Sequence, residues 1–301
     1  MTKQFSGVYP MLYAFFNADG SFDRGAMKAQ VDHVVAAGAH GIGILGLVSE
    51  VFKLDVTERR RFVDLVAELN AGRRPLAVTV AEPNIQGQVA FARAAQTAGA
   101  DWLIIQLPSF RGATERDYVA FVGAVAEQVG LPVAVQNNPV NMDVFVSNDA
   151  LFAMHADHPN ITMLKAEGSA VSTAPLAQSG KLGVFGGRNG LEIIANLKAG
   201  CVGNVPAAEM AGPLSRIYDL ATSGTAEATA KAEELYRTVL PLIVFINQNL
   251  TTQLCYGKRL LADLVGIREI IERPPTMKTT PFGLAMLRDF AHKAGLSIPT
   301  A

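Results

Sequence analysis

The sequence predicts an α/β fold, a (β/α)8 TIM barrel with a C-terminal helical extension. Three observations predict it. Eight short apolar runs follow one another between residues 7 and 207. Amphipathic stretches separate them, and several of these end at a glycine directly before the next run. The first run leads into FNADGSFD, which lacks the GxGxxG turn that often follows the first strand of an open dinucleotide-binding sheet.

The runs begin at Gly7, Gly41, Pro75, Trp102, Pro132, Thr162, Leu182 and Cys201. Most are rich in Val, Ile or Leu, as strands buried on both faces are. Asp23 is placed to cap a first helix that runs to Ala37, with GAH as its stop. Further helices are expected over 56–70, closing with AGRRP, and over 85–97, closing with AGAD. Two more are expected over 114–128, ending at VGLP, and 191–198, ending at AG. Eight strands in succession suit a closed barrel better than an open sheet of five or six. Residues 1–224 are therefore assigned to the barrel and 225–301 to a helical subdomain with segments near 226–248, 252–266 and 281–294. That subdomain would cover the barrel or a partner subunit.

Half of the 301 residues are hydrophobic, 18% are charged and the net charge is −1, enough apolar material for a sizeable core. Near-neutral charge disfavours nucleic acid and anionic membrane surfaces as partners. Cys201 and Cys255 make neither a disulfide framework nor a metal-ligand spacing. The N-terminus lacks the pattern of a signal peptide, and the run over 239–246 is too short for a bilayer. A cytoplasmic protein is expected, and nothing in the sequence requires a cofactor or metal.

In such barrels the chemistry lies at the C-terminal ends of the strands. Strand six, TMLKAE, places Lys165 inside an apolar run, whereas the other nine lysines fall in helices, loops or termini. Burying an ammonium is costly, and desolvation frees an amine to attack a carbonyl. Glu167, two residues on, points to the same side, as a partner or a general acid/base. On strand five Gln136 and Asn138 face the lumen, where amides orient substrate or water without ionising. After strand two, GLVSE offers backbone N–H groups around Val48, the Ser49 hydroxyl and Glu50. GGRNG, with Gly187, Arg188 and Asn189, ends strand seven as an anion-binding turn or simply a tight one. The five histidines suggest no triad or metal site.

GLVSE after strand two, QNNP after strand five and a lone strand-six lysine together resemble the dihydrodipicolinate synthase and N-acetylneuraminate lyase family. The resemblance extends through the opening GVYPMLYAFFNADGSFD and the helical C-terminus. It implies a Schiff-base barrel acting on pyruvate or another 2-keto acid, with Lys165 forming the imine, assembled as a homotetramer or homodimer.

The sequence departs from the family pattern at the site. Leu47 and Val48 stand where GTTGE has hydroxyl residues, and Ser49 replaces its second glycine. Gln136 replaces the tyrosine of the YNxP motif, Asn141 an arginine, and Phe110 a second tyrosine. Ser49-Glu50, Gln136 and Lys165-Ala166-Glu167 are instead similar to the 2-keto-3-deoxy-L-arabonate dehydratase branch. That resemblance implies dehydration of a 2-keto-3-deoxy sugar acid. Gln136 would position a water or hydroxyl, Glu167 would serve as acid/base, and Ser49 with the backbone near Val48 would hold the carboxylate. Glu50, Asn138, Phe110, Gly187, Arg188 and Asn189 complete the expected substrate site. The alternatives are an aldolase releasing pyruvate, a pyrroline-carboxylate deaminase and a barrel that binds a keto acid without turnover.

Overall fold

The structure is a computed structural model that describes residues 5–142 and 144–298. Eight parallel strands form one sheet: β1 (Gly7–Val8), β2 (Ile42–Ile44), β3 (Leu76–Val80), β4 (Trp102–Gln106), β5 (Val133–Asn137), β6 (Ile161–Ala166), β7 (Gly183–Gly186) and β8 (Gly203–Asn204). From β2 to β8 each strand pairs with its successor in sequence, and β8 returns to pair with β1. The first apolar run is ten residues long, yet its ladder is interrupted after Val8. Pro10 has no N–H to contribute, and pairing resumes at the parallel bridge from Met11 to Gly43. There Gly43 donates to Pro10 O and receives Leu12 N–H, each at 2.9 Å, which closes the ring from β1 to β2.

Side chains alternate across this ring with a period of two. Leu103, Ile105, Val133, Val135, Leu164 and Val184 face outward into the layer shared with the helices. Trp102, Ile104, Ala134, Met163 and Phe185 face inward with Tyr9 and Met11. Trp102 lies between Tyr9 and Phe185, with ring centroids 5.3 and 5.4 Å away, so aromatic rings fill the lower barrel. The next inward row carries Gln106, Gln136 and Lys165, in register on adjacent strands. Polar chemistry therefore sits directly above an apolar floor.

The outer layer consists of α1 (Arg24–Ala36), α2 (Val56–Asn70), α3 (Ile85–Ala98), α4 (Glu115–Ala126), α5 (Asn148–Asp157), α6 (Ala170–Gln178), α7 (Ile193–Lys198) and α8 (Ala211–Ala221). Short polar side chains start the first six, as the physics of unpaired N–H groups requires. Asp23 accepts from Ala26 N–H, and Asp55 and Thr114 form reciprocal capping boxes with Glu58 and Asp117. The chain continues with α9 (Ala226–Ile246), α10 (Leu250–Thr252), a π-helical turn over Gln253–Gly257, α11 (Lys258–Leu264) and α12 (Pro281–Lys293). Val239, Leu242, Ile243, Leu260 and Leu287 of these segments share one buried cluster with Val8, Ile193, Leu214 and Ile217 of the barrel. No described helix is long and apolar enough to cross a membrane.

Candidate active site

A cleft of about 170 Å³ opens at the C-terminal ends of the strands. Lys165 and Glu167 line it, as do Gly46, Leu47 and Val48 after β2 and Arg188 and Asn189 after β7. Asn247, Gln248, Asn249 and Gln253 reach it from the helical extension. The volume is below the roughly 300–1,000 Å³ of pockets for drug-sized ligands, so it suits a small molecule. Several of its wall amides are engaged within the chain: Asn247 Nδ2 donates to Arg188 O at 3.0 Å and Asn249 Oδ1 accepts Thr252 N–H at 3.0 Å.

Lys165 is 6% exposed, and its ammonium donates to Glu167 Oε1. The other carboxylate oxygen, Oε2, accepts Arg188 N–H at 2.9 Å. The turn after β7 thus does bind an anion, but that anion is the chain's own Glu167. Gly187 makes this possible, because a Cβ there would lie 2.2 Å from Glu167 Oε2. Its part is to admit the carboxylate, and it is not among the residues lining the cleft. Arg188 and Asn189 both have φ of 53°, and Leu45 and Glu50, on either side of the β2 turn, are also left-handed. Four of the five non-glycine residues with positive φ among the described residues thus flank this cleft, strain of the kind that collects at functional sites.

Gln136 is next to Lys165 in the register of β5 and β6. It is buried, and neither its amide nitrogen nor its amide oxygen has a partner within the chain. Gln136 does not itself line the cleft; it borders Lys165 from the neighbouring strand. Asn138 is buried as well, but its Oδ1 accepts Asn141 N–H at 3.0 Å, so it shapes the loop whose Val140 and Asn141 reach the cleft.

Three expected contacts stand elsewhere. The Ser49 hydroxyl donates to Leu12 O at 2.5 Å and is fully buried, which removes it from any substrate. The 3₁₀ turn Leu47–Ser49 brings Leu47 and Val48 to the cleft and rotates Ser49 behind it. Glu50 is also fully buried, engaged by Lys53 at 2.6 Å and Lys258 at 2.8 Å, and it anchors the turn. Phe110 is 72% exposed on the loop after β4, outside the cleft of a single chain.

A buried network that no sequence motif announces lies beneath the cleft. Glu209, on the turn after β8, accepts from Tyr13 Oη (2.9 Å), Asn189 Nδ2 (2.9 Å) and Gln253 Nε2 (2.8 Å). Burial raises the pKa of Glu209, with the bond from Asn189 acting against it. Burial likewise holds the Tyr13 phenol well above its usual range, so it remains a donor. The available signal was an acid within the otherwise apolar PAAEMAG. Nothing local connects it to Tyr13 or Gln253, which are 196 and 44 residues away.

Comparisons with known proteins agree with this architecture. The 4-hydroxy-tetrahydrodipicolinate synthase of Agrobacterium fabrum is 33% identical over 161 residues, 54% of this chain and 55% of that protein. The chain spans about half the length of several such synthase relatives that it matches. The L-2-keto-3-deoxyarabonate dehydratase of Azospirillum brasilense is 28% identical over 211 residues, 67% of this chain and 68% of that protein. The solved dihydrodipicolinate synthase of Aquifex aeolicus superposes with a TM-score of 0.88 at 20% identity, covering 98% of this chain and all of that one, which establishes the shared fold. The profile of the dihydrodipicolinate synthetase family matches residues 4–280, and with that match the chain belongs to this family.

Proposed function

We propose that this protein is a Schiff-base lyase that dehydrates a 2-keto-3-deoxy sugar acid resembling 2-keto-3-deoxy-L-arabonate. The observation that carries the reading is the buried Lys165–Glu167 pair in a small cleft walled by amides. Glu167 takes a proton from Nζ, and the neutral amine attacks C2 of the keto acid. Glu167 returns that proton to the carbinolamine hydroxyl, which leaves as water, giving the iminium and a carboxylate again. The backbone of Leu47 and Val48 holds the substrate carboxylate; Arg188 lines the same cleft with its guanidinium held by Glu192 at 2.8 Å. The iminium acidifies C3, and the regenerated Glu167 carboxylate accepts that proton in this reading. The same carboxyl delivers the C3 proton to the C4 hydroxyl, which leaves as water and gives a conjugated imine. A proton shift from C5 to C3 turns the terminal alcohol into the enol of the aldehyde, and hydrolysis regenerates Lys165. Gln136, with both amide atoms free, orients the water or hydroxyl that takes part.

Dehydration is preferred over aldol cleavage because cleavage needs a base at the C4 hydroxyl. The family's tyrosine position holds Gln136, which does not ionise. The name of the Azospirillum dehydratase supports the same choice. We further propose a homodimer or homotetramer: Phe110, Val140 and Phe145, on the loops after β4 and β5, are more than half exposed, and a second copy would cover them.

The test is borohydride trapping with pyruvate and a panel of 2-keto-3-deoxy acids, followed by peptide mass spectrometry and product analysis. A reduced adduct on the Lys165 peptide and a semialdehyde with an intact carbon chain are expected. Pyruvate release from a sugar acid would assign cleavage instead, and ammonia release from a hydroxylated pyrroline carboxylate would assign deamination.

A further inference from the structure

Gln253 begins the π-helical turn that carries the helical extension over the mouth of the barrel. Such turns are rare and often occur at functional sites. The side chain lines the cleft with Lys165 yet is 97% buried, at 3% exposure. Its two amide atoms have different environments. Nε2 donates to Glu209 Oε1 at 2.8 Å and lies 3.1 Å from Tyr13 Oη. Oε1 finds no donor within the chain. Among the described residues lining the cleft, it is the buried side-chain atom left in that condition.

The network fixes which way the amide points. A flipped Gln253 would set its carbonyl oxygen against a Glu209 oxygen, with no proton between them while Glu209 is ionised. Tyr13 directs its proton to Glu209 Oε2 at 2.9 Å, with the Gln253 backbone oxygen a distant second acceptor at 3.5 Å, which leaves none for the Gln253 side chain. Asn189 completes the frame by donating to the same Oε1 of Glu209 while its own Oδ1 takes Ala207 N–H at 2.8 Å. Three elements far apart in sequence thus hold one acceptor in place. A buried acceptor without a donor is costly, and a ligand that supplies one is favoured over a ligand that does not.

We infer that Gln253 is a specificity-determining residue whose Oε1 accepts a hydrogen bond from a hydroxyl on the distal carbons of the keto acid. The inference rests on the imine at Lys165 proposed above. It assigns the selection of hydroxylated over unsubstituted keto acids to the helical extension, with Tyr13, Glu209 and Asn189 as positioning residues.

The experiment compares two five-carbon acids, 2-oxopentanoate and 2-keto-3-deoxy-L-arabonate, as competitors of pyruvate in borohydride trapping. The readout is the ratio of their half-saturating concentrations, a quantity insensitive to the fraction of folded enzyme. Wild type should favour the hydroxylated acid, and Gln253→Met should reduce that ratio roughly tenfold, the size of one neutral hydrogen bond. An unchanged ratio in Gln253→Met overturns the inference. So does a wild-type ratio near one, which needs no variant and leaves the imine itself intact. Absence of any adduct from folded wild type would instead remove the imine reading, and this inference with it.

Discussion

Lys258 Nζ lies 2.8 Å from Glu50 Oε1, and both side chains are fully buried although 208 residues separate them. One belongs to the helical extension and the other to the turn after β2. Lys53 holds the second oxygen of Glu50 at 2.6 Å and also donates to Arg273 O, so two contacts, from Lys258 and to Arg273, tie the β2 turn to the extension. The cleft is lined from both of these elements. Their relative placement therefore depends on a charge pair inside the protein.

Replacing Lys258 by methionine keeps most of the volume but leaves Glu50 with one cation. Removing a partner from a buried pair typically costs about 3–5 kcal/mol. Lys53 offsets part of this, so a loss of roughly 2–3 kcal/mol is expected, read as a lowered urea midpoint. A double replacement, Lys258→Met with Glu50→Gln, should recover part of the loss. If Lys258→Met alone unfolds like wild type, the pair contributes nothing to stability.

Glu167→Gln tests the proton path without altering the shape of the cleft. The glutamine can accept from Lys165 or from Arg188 N–H, but it cannot take a proton from either the amine or C3. Turnover should fall by about 10²–10⁴ at neutral pH, the usual range for losing a general base. Borohydride trapping at Lys165 should slow less than turnover, because free amine still forms by exchange with water. Full activity in this variant would move the acid/base role to another residue.

Gly187→Ala separates a steric role from a ligand-binding one. The added Cβ would sit 2.2 Å from Glu167 Oε2 and 2.4 Å from Cδ, so the carboxylate must leave Lys165 and Arg188 N–H. The expected result is a fall in kcat of about a hundredfold, at the lower end of the general-base range. KM for the keto acid should change little. A raised KM with kcat preserved would mean that Gly187 touches the substrate directly.

Much of the barrel was legible because its signals are local. Asp23, Asp55 and Thr114 cap helices within three residues of their targets, and the apolar runs match the strands to within a few residues. Lys165 stood out because an ammonium in a Val/Ile/Leu strand violates a one-dimensional rule. Ser49 shows where such reading fails. Its residue type promised a ligand contact, yet a 3₁₀ turn and a left-handed Glu50 rotate it onto Leu12 O. Nor does any local pattern connect Tyr13, Glu209 and Gln253: the first two meet where β8 returns to β1, and the third joins them from the extension.

Arg273 makes a forked pair with Glu58, at 2.5 and 2.9 Å, and covers the Phe16 ring at 4.0 Å. The pair, together with hydrogen bonds from Arg273 to Gly20 O and Lys53 O, clasps the segment after α11 against α2. The hydrogen bond from Arg273 lowers the Glu58 pKa from its ordinary value of 4.5. A carboxylate lowered on folding adds stability above its unfolded value, and that stability is lost as pH falls through the folded value. The gap in urea midpoint between wild type and Arg273→Met should therefore be widest near neutral pH and narrow as pH falls through the folded value of Glu58, which lies below 4.5. A residual gap should persist in acid, since the ring contact and the carbonyl hydrogen bonds do not titrate. A gap that stays constant from pH 7 to pH 3 would mean that packing, and not the ion pair, holds this segment.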